Sequence, residues 1–529
     1  MFDVVYRVVA VVVTACLFAL ASVKMLGAMQ QGGYKNGVFM RWLRRKDNLQ
    51  FNRLAVSALC LALASAVFSL CFSFLGVKWG LLISALPFLT LCIVYLYADK
   101  KYALKVPVKF TGRARRLLAV YLLVVACVGY GIVALLGFLS ELNGSDLYAS
   151  VAYVPYAAMP LLLPLLLCLS NGITGIFENA RNKKFVKRAG QVLNEKEIIR
   201  VGVVGSYGKT SVKNILATVL AEKYAVTATP ESYNTPMGIA KTVFSPEFAG
   251  KQILIAEMGA RKKGDIVELC ALVKPDYAVF TGVCEQHIET FGSLENVFAE
   301  KSEILKCGAK KVVCGESLVA FGVAESENVV LCKGARDVKL SLTGTEFVLS
   351  VGGAEIKVKT LLLGGSAAED IALSAALAFE MGLTVEEIER GLEKVQSVPH
   401  RLQLIENGGM YILDDGYNCN PRGAKEALAV LGAHGGRKCV VTPGIVECGI
   451  LQEKVNGELG EELAKADLDK VILVGQTLVG SVKNGYLSAG GDGEKLVAVK
   501  TLDEAKEALS GWTQAGDAVL FLNDLPDVY

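Results

Sequence analysis

Lys209, Thr210 and Ser211 follow a Gly-Ser-Tyr-Gly turn, and that turn follows a β-branched run of Val201, Val203 and Val204. A strand, a loop of Gly205, Ser206, Tyr207 and Gly208, and a helix start in this order can cradle phosphate. Backbone N–H groups close on phosphate oxygens, the helix start adds partial positive charge, Lys209 adds a full one, and Thr210 offers a hydroxyl for Mg²⁺. The strict eight-residue pattern places glycine at 203, where this chain has Val203; the shorter Gly-x-x-Gly-Lys-Thr fits. The plain alternative is an ordinary glycine-rich strand-to-helix turn.

Further candidates lie downstream. Glu257 ends the run QILIAE, where a strand-end carboxylate can hold Mg²⁺ directly or through water. Glu285 and His287 follow another apolar run, and about fourteen residues on comes Lys301, flanked by Glu300 and Glu303. By itself Lys301 reads as a surface lysine in an exposed charge pattern. His400-Arg401 and the stretch DDGYNCNP, Asp414 to Pro421, come later. An arginine entering a cleft can reach a transferring phosphoryl group, and paired aspartates can accept from ribose hydroxyls or orient that arginine. Three histidines in the whole chain argue against a multi-histidine metal site.

The elements that must position these residues alternate. Strands are predicted at 198–204, 252–257, 276–281, 311–314, 410–414, 438–442, 470–474 and 518–521. Helices are predicted at 210–222, 265–273, 295–306, 367–381, 385–394, 423–432, 453–465 and 502–510, and 338–360 reads as a small antiparallel excursion. Alternation of this kind makes parallel α/β sheets, whose nucleotide sites sit at the carboxyl ends of the strands. A polar break, His400–Gly409, precedes a second α/β unit, so two such domains meet near 397–409.

The first third of the chain is different. A mean hydropathy of +0.43 is too apolar for a soluble enzyme, and the excess lies almost entirely before residue 175. Five stretches, at about 3–23, 54–75, 79–98, 117–139 and 150–173, are long enough to cross roughly 30 Å of hydrocarbon. Basic residues gather in alternate connections, 24–53, 100–116 and 181–188, while the other two connections are nearly bare. The positive-inside rule then puts the N-terminus outside and everything after residue 175 in the cytoplasm. The loop from Gly33 to Asn48 mixes aromatics with cations, as a topogenic loop or a headgroup-binding segment would. A net charge of +3 gives no bulk attraction for nucleic acid, and fourteen cysteines without a CxxC pair read as reduced packing thiols.

In combination the motifs resemble the Mur ligases, the ATP-dependent amide synthases of peptidoglycan precursor assembly. The similarity is to the branch that adds D-alanyl-D-alanine to the muramoyl tripeptide. The matching stretches are GSYGKTS, SYNTPMG, AEMGARKKGDI, TGVCEQHIETFGSLENVFAEKSEI, HRLQ and DDGYNCNP, spread over about 330 residues. The apolar stretches give a membrane domain at 1–180, and the resemblance implies a central P-loop ATPase domain at 181–396 and a Rossmann-like C-terminal domain at 397–529 that closes over ATP. It implies that Lys209 contacts the β- and γ-phosphates, that Thr210 and Glu257 share one Mg²⁺, and that His287 helps hold a second. Lys301 would match the lysine that is carbamylated in many members, becoming an anion beside Mg²⁺. Asn234 and Thr235 would lie near the acceptor. Arg401 and Asp415 would reach the nucleotide, with Asp414, Tyr417, Asn418 and Asn420 close by. The chemistry implied is activation of a carboxylate as an acyl phosphate, then amine attack to give an amide, ADP and phosphate, catalysed by charge neutralisation and positioning.

Three departures qualify the match. The family's N-terminal uridine-sugar domain is replaced by the apolar stretches, with about 25 residues between the last of them and the phosphate loop. The adenine-side motif aligns with Ser366, Ala367 and Asp370. The C-terminal part reads TPGIVECG and then NDLPDVY, where a longer motif is usual. The expectation is a membrane-anchored ligase, nominally for D-alanyl-D-alanine, acting on a soluble or lipid-linked muramoyl peptide. Two alternatives are an amidating or other amino-acid ligase served by a glutaminase partner, and a non-catalytic scaffold for wall enzymes.

Overall fold

A computed structural model describes residues 11–12, 15–20, 22–44, 60, 64, 67, 107–143, 159–284, 288–417, 419–446, 448–475 and 477–522. The chain divides into two compact units, one running up to Arg181 and the other from Asn182 to Asp524.

In the first unit, short helices α1 (Val23–Gln31) and α2 (Asn36–Leu43) accompany the long α3 (Gly112–Asn143) and the part of α4 (Met159–Glu195) up to Arg181, its later residues belonging to the second unit. Among the described residues, α3 and α4 each contain a stretch long and apolar enough to cross a membrane. They run over 112–132 and 161–195 and overlap the predicted stretches at 117–139 and 150–173, residues 150–158 lying outside the described ones. The stretches at 54–75 and 79–98 and much of 3–23 lie outside the described residues. Phe18, Met29, Phe39, Leu117, Tyr121 and Leu163 share one buried cluster, within which the Ser22 and Tyr121 hydroxyls meet at 2.7 Å. The Gln30 amide pairs with the Lys109 backbone at 2.7 and 3.0 Å, and the Arg113 guanidinium lies 3.9 Å from the Tyr34 ring centroid.

The second unit holds two six-stranded sheets. The first is wholly parallel: β1 (Ile199–Val204), β2 (Val226–Ala228), β3 (Ile253–Glu257), β4 (Tyr277–Phe280), β5 (Lys311–Gly315) and β6 (Val329–Cys332) in the order β2-β3-β1-β4-β5-β6. β3 is buried along its full length, as a central parallel strand covered on both faces must be, which explains its unbroken apolar run. One face packs on α5 (Lys209–Leu220); the other takes α6 (Pro236–Val243) and α7 (Asp265–Val273), with Ala189 and Leu193 of α4 in the same cluster. Between β4 and β5 run α8 (Ile288–Phe291) and α9 (Leu294–Lys301). The predicted excursion at 338–360 is a three-stranded antiparallel sheet of β7 (Arg336–Ser341), β8 (Gly344–Val351) and β9 (Ala354–Thr360), followed by α10 (Gly365–Glu380) and α11 (Val385–Glu393).

The other sheet begins with β10 (Gln403–Asn407), paired antiparallel to β11 (Met410–Asp415). After α12 (Pro421–Gly432) come β12 (Lys438–Thr442), α13 (Gln452–Lys465), β13 (Lys470–Val474), α14 (Val479–Ser488), β14 (Leu496–Val499), α15 (Leu502–Ser510) and β15 (Ala518–Leu522). The order is β10-β11-β15-β12-β13-β14. The carboxyl ends of β1, β3 and β11 deliver the candidate residues, where parallel sheets hold ligands.

Candidate active site

The loop between β1 and α5 has a backbone that only glycine satisfies. Gly208 sits at φ 71°, and a methyl there would run into the Asp370 carboxylate from α10; a methyl at Gly205 would meet the Thr281 hydroxyl. Ser206 N–H donates to Gly282 C=O at 2.8 Å, tying the loop to the end of β4. The Ser206 hydroxyl is buried and, among the described residues, has no hydrogen-bond partner. An unsatisfied buried hydroxyl costs about 1–3 kcal/mol unless something supplies the missing bond, and a phosphate oxygen fits that need.

Lys209 folds over the loop, its ammonium donating to Gly205 C=O at 2.7 Å and Ser206 C=O at 3.1 Å. Lys301, at the end of α9, reaches the same Gly205 carbonyl at 3.0 Å and is 1% exposed. The surface-lysine reading of Lys301 is therefore wrong. Its flank Glu300 is buried too, accepting from Gly264 N–H and Ile266 N–H, each at 2.7 Å, at the start of α7. Those two charge-assisted bonds fix where α9 ends. Burial and the neighbouring Lys209 charge bring the Lys301 amine down to about 7.

Glu257 collects the remaining groups. Its Oε2 accepts from the Thr210 hydroxyl at 2.9 Å and from Lys213 Nζ at 3.1 Å, and its Oε1 accepts from Asn234 Nδ2 at 3.1 Å. Burial pushes this carboxyl up, and Lys213 and Lys209, with the Lys213 and Thr210 hydrogen bonds, pull it back below the usual range. The Thr210 and Glu257 oxygens suit a hard cation such as Mg²⁺. Among the described residues no three His, Cys, Asp or Glu side chains cluster as metal ligands. Glu285, His287 and Asn418 lie outside the described residues. Thr235 caps α6, accepting from Gly238 N–H at 3.3 Å, and Asn420 caps α12, accepting from Gly423 N–H at 3.0 Å.

Arg401 stands between His400 at φ 61° and Leu402 at φ 45°. Two left-handed non-glycine residues flanking one residue are costly, at about 1–3 kcal/mol each. The guanidinium donates to Tyr417 C=O at 3.1 Å and lies 4.7 Å from the Tyr417 ring centroid. Asp415 accepts from Leu402 N–H at 3.1 Å, and burial pushes its carboxyl up to about 6 against the pull of Arg401. Ser211, Ser366, Asp370, Arg401, Asp415 and Arg422 line one cleft together. Of the predicted site residues, Tyr207, Gly208, Ser211, Arg401, Asp415, Tyr417 and Asn420 line that cleft, while Lys209 and Lys301 meet on Gly205 C=O and Thr210 and Asn234 meet on Glu257.

The model of the Mur ligase middle domain matches residues 203–378, and that of the Mur ligase glutamate ligase domain matches 400–523, together more than half of the chain. The chain belongs to the Mur ligase family. UDP-N-acetylmuramoyl-tripeptide–D-alanyl-D-alanine ligase of Bacillus subtilis is 29% identical over 290 residues, which is 52% of this chain and 62% of that relative. The Escherichia coli enzyme of the same name is 28% identical over 298 residues, 52% of this chain and 64% of its own length. This Mur ligase chain thus spans less than two thirds of the length of these relatives. The MurF ligase of Thermotoga maritima in complex with ADP superposes with a TM-score of 0.58 at 26% identity, covering 65% of this chain and 80% of its own. MurF of Acinetobacter baumannii shares the fold, with a TM-score of 0.59 at 23% identity over 65% of this chain and 77% of its own.

Several groups in this Mur ligase escape a reading of the sequence. Lys213 carried a usable signal: four residues after Lys209, it shares a helix face with it. Glu426 of α12 accepts from Gly365 N–H at 2.9 Å and Ser366 N–H at 3.4 Å, capping α10 across the domain seam. Arg422 pairs with Glu369 at 2.5 Å while its guanidinium lies 4.4 Å from the Tyr207 ring centroid, and the Ser232 and Tyr417 hydroxyls meet at 2.8 Å.

Proposed function

We propose that this Mur ligase uses ATP to activate a muramoyl-peptide carboxylate and joins it to an amine, releasing ADP and phosphate. The observation that carries the reading is the convergence of Lys209, Lys301 and the Thr210–Glu257 pair on one glycine loop. Lys209 and the loop amides receive the triphosphate, and Ser206 supplies a further hydroxyl. Thr210 and Glu257, with His287, hold Mg²⁺, which when bound neutralises phosphate charge. Arg401 and Asp415 hold the nucleotide from the C-terminal side. Asn234, Tyr417, Asn418 and Asn420 are assigned to acceptor binding, with Thr235 ordering the loop at Asn234. The γ-phosphoryl group passes to the acceptor carboxylate as ADP leaves; the amine then attacks the acyl carbon, phosphate departs and the amine's proton goes to solvent. Lys301, whose amine burial and the Lys209 charge bring down to about 7, is suited to add CO₂ and become a carbamate, since only a neutral amine is nucleophilic.

The relatives' names point to D-alanyl-D-alanine as the amine. Residues 1–180 are read as a five-span membrane domain with the N-terminus outside, and 181–396 and 397–529 as the two catalytic domains in the cytoplasm. With apolar stretches where a uridine-sugar domain is expected, the acceptor is read as lipid-linked. The test uses the full chain in membranes, with lipid-linked or uridine-linked muramoyl tripeptide and with D-alanyl-D-alanine, other amino acids or ammonium. ADP release that depends on both substrates is expected, and Lys209→Ala should lower it by about 10³-fold or more, roughly 4 kcal/mol of transition-state stabilisation. An unchanged rate in Lys209→Ala refutes the site, and a preference for the uridine-linked acceptor refutes the lipid-linked one.

A further inference from the structure

Lys213 has no part in the scheme above, yet its side chain is 1% exposed and its ammonium is spent entirely on the site. It donates to Glu257 Oε2 at 3.1 Å and to the backbone carbonyl of Glu231. A buried charge costs several kcal/mol unless paired, and a methionine or leucine would fill the same volume without that cost. Packing therefore does not account for a lysine here.

The surrounding charge suggests what does. Three ammonium groups, of Lys209, Lys213 and Lys301, converge on Gly205 C=O and Glu257. Glu257 is already taken by Thr210, Asn234 and Lys213. A bare divalent cation approaching the Thr210 and Glu257 oxygens has to displace or share with Lys213 against fixed positive charge. Nucleotide phosphates reverse that balance, because they bring negative charge and the missing oxygen ligands together.

We infer that Lys213 is the resident counter-ion of Glu257 and makes divalent-cation binding at this carboxylate conditional on nucleotide. The inference rests on the nucleotide-site reading and deepens it. Lys213 acts through Glu257 and is a positioning residue: it holds the carboxylate beside Thr210 and anchors the 230–235 loop through Glu231.

The test titrates Mn²⁺ alone, as a paramagnetic substitute for Mg²⁺, into the full chain in detergent, reading free Mn²⁺ by electron paramagnetic resonance. Lys213→Met is expected to bind Mn²⁺ at least ~10-fold more tightly than the wild type without nucleotide, since one repelling charge is gone. Adding Glu257→Gln should abolish the gain, which a purely structural loss would not do. Equal or weaker Mn²⁺ binding by Lys213→Met overturns the inference. A second measurement needs no variant: wild-type Tm should be the same with Mn²⁺ as with EDTA, and should rise with Mn²⁺ plus ADP beyond ADP alone. A rise with Mn²⁺ alone equal to that with Mn²⁺ plus ADP overturns it. Failure of ADP to bind the wild type would instead defeat the nucleotide-site reading, which the Mn²⁺ comparison does not depend on.

Discussion

Replacing Lys301 by methionine is expected to make the nucleotide-free protein more stable at neutral pH. Burial, reinforced by Lys209, lowers the Lys301 amine from 10.5 to about 7, a gap equivalent to about 5 kcal/mol. Between those values the unfolded chain binds more protons at this site than the folded one, so stability rises with pH across the window. The penalty is whole below pH 7, about 4 kcal/mol at pH 7, about 1.4 kcal/mol at pH 9.5, and gone above the unfolded value. Methionine removes the charge and keeps most of the stem, at the loss of one hydrogen bond worth about 1 kcal/mol; Gly205 C=O keeps Lys209 as a donor. The variant should therefore gain about 3 kcal/mol at pH 7 and nearly nothing at pH 9.5. Urea unfolding of both proteins in CO₂-free buffer at the two pH values measures this. Lower stability of Lys301→Met at pH 7, or a difference that does not shrink at pH 9.5, refutes the reasoning. If Lys301 takes up CO₂ as proposed, bicarbonate should stabilise the wild type and leave Lys301→Met unchanged.

Glu300→Gln keeps the shape but leaves one of the two amides at the start of α7 facing a donor. A loss of about 1–3 kcal/mol is expected, read as a lower urea midpoint. Glu426→Ala removes the acceptor that the C-terminal domain offers to α10. A charge-assisted bond of about 1.5–3 kcal/mol disappears, and the KM for ATP should rise about tenfold with a smaller change in kcat.

Much of the second unit was legible because its signals are local. Strands such as 252–257 and 470–474 are built on short apolar runs, ILIA and VILV, and helices 265–273 and 502–510 appear with those bounds. The short strands β2, β6, β10 and β14 and helices α6, α8 and α14 escaped, since three to ten residues carry too little periodicity. The phosphate loop was readable because its chemistry is written in consecutive residues. Glu300 and Glu426 were not: each looks like a charge on a helix surface, and only the packing of α7 and α10 against them buries or engages the carboxylate. Lys213 stood between, visible by its spacing from Lys209 but meaningless until Glu257 is known to face the same turn.

The seam at α10 carries one more consequence. Its polar contacts, Glu426 on the first amides of α10 and Arg422 on Glu369, are charged and partly open to solvent, with Arg422 and Glu369 side chains 30% and 47% exposed. Contacts of that kind weaken as the Debye length contracts from about 10 Å at 0.1 M salt to about 3 Å at 1 M. The apolar part of the seam, with Leu342 and Leu363 buried among C-terminal side chains, does not. Ionic strength therefore acts on this molecule as a selective solvent for one layer of its seam, loosening the grip between domains while each domain's own core stays intact.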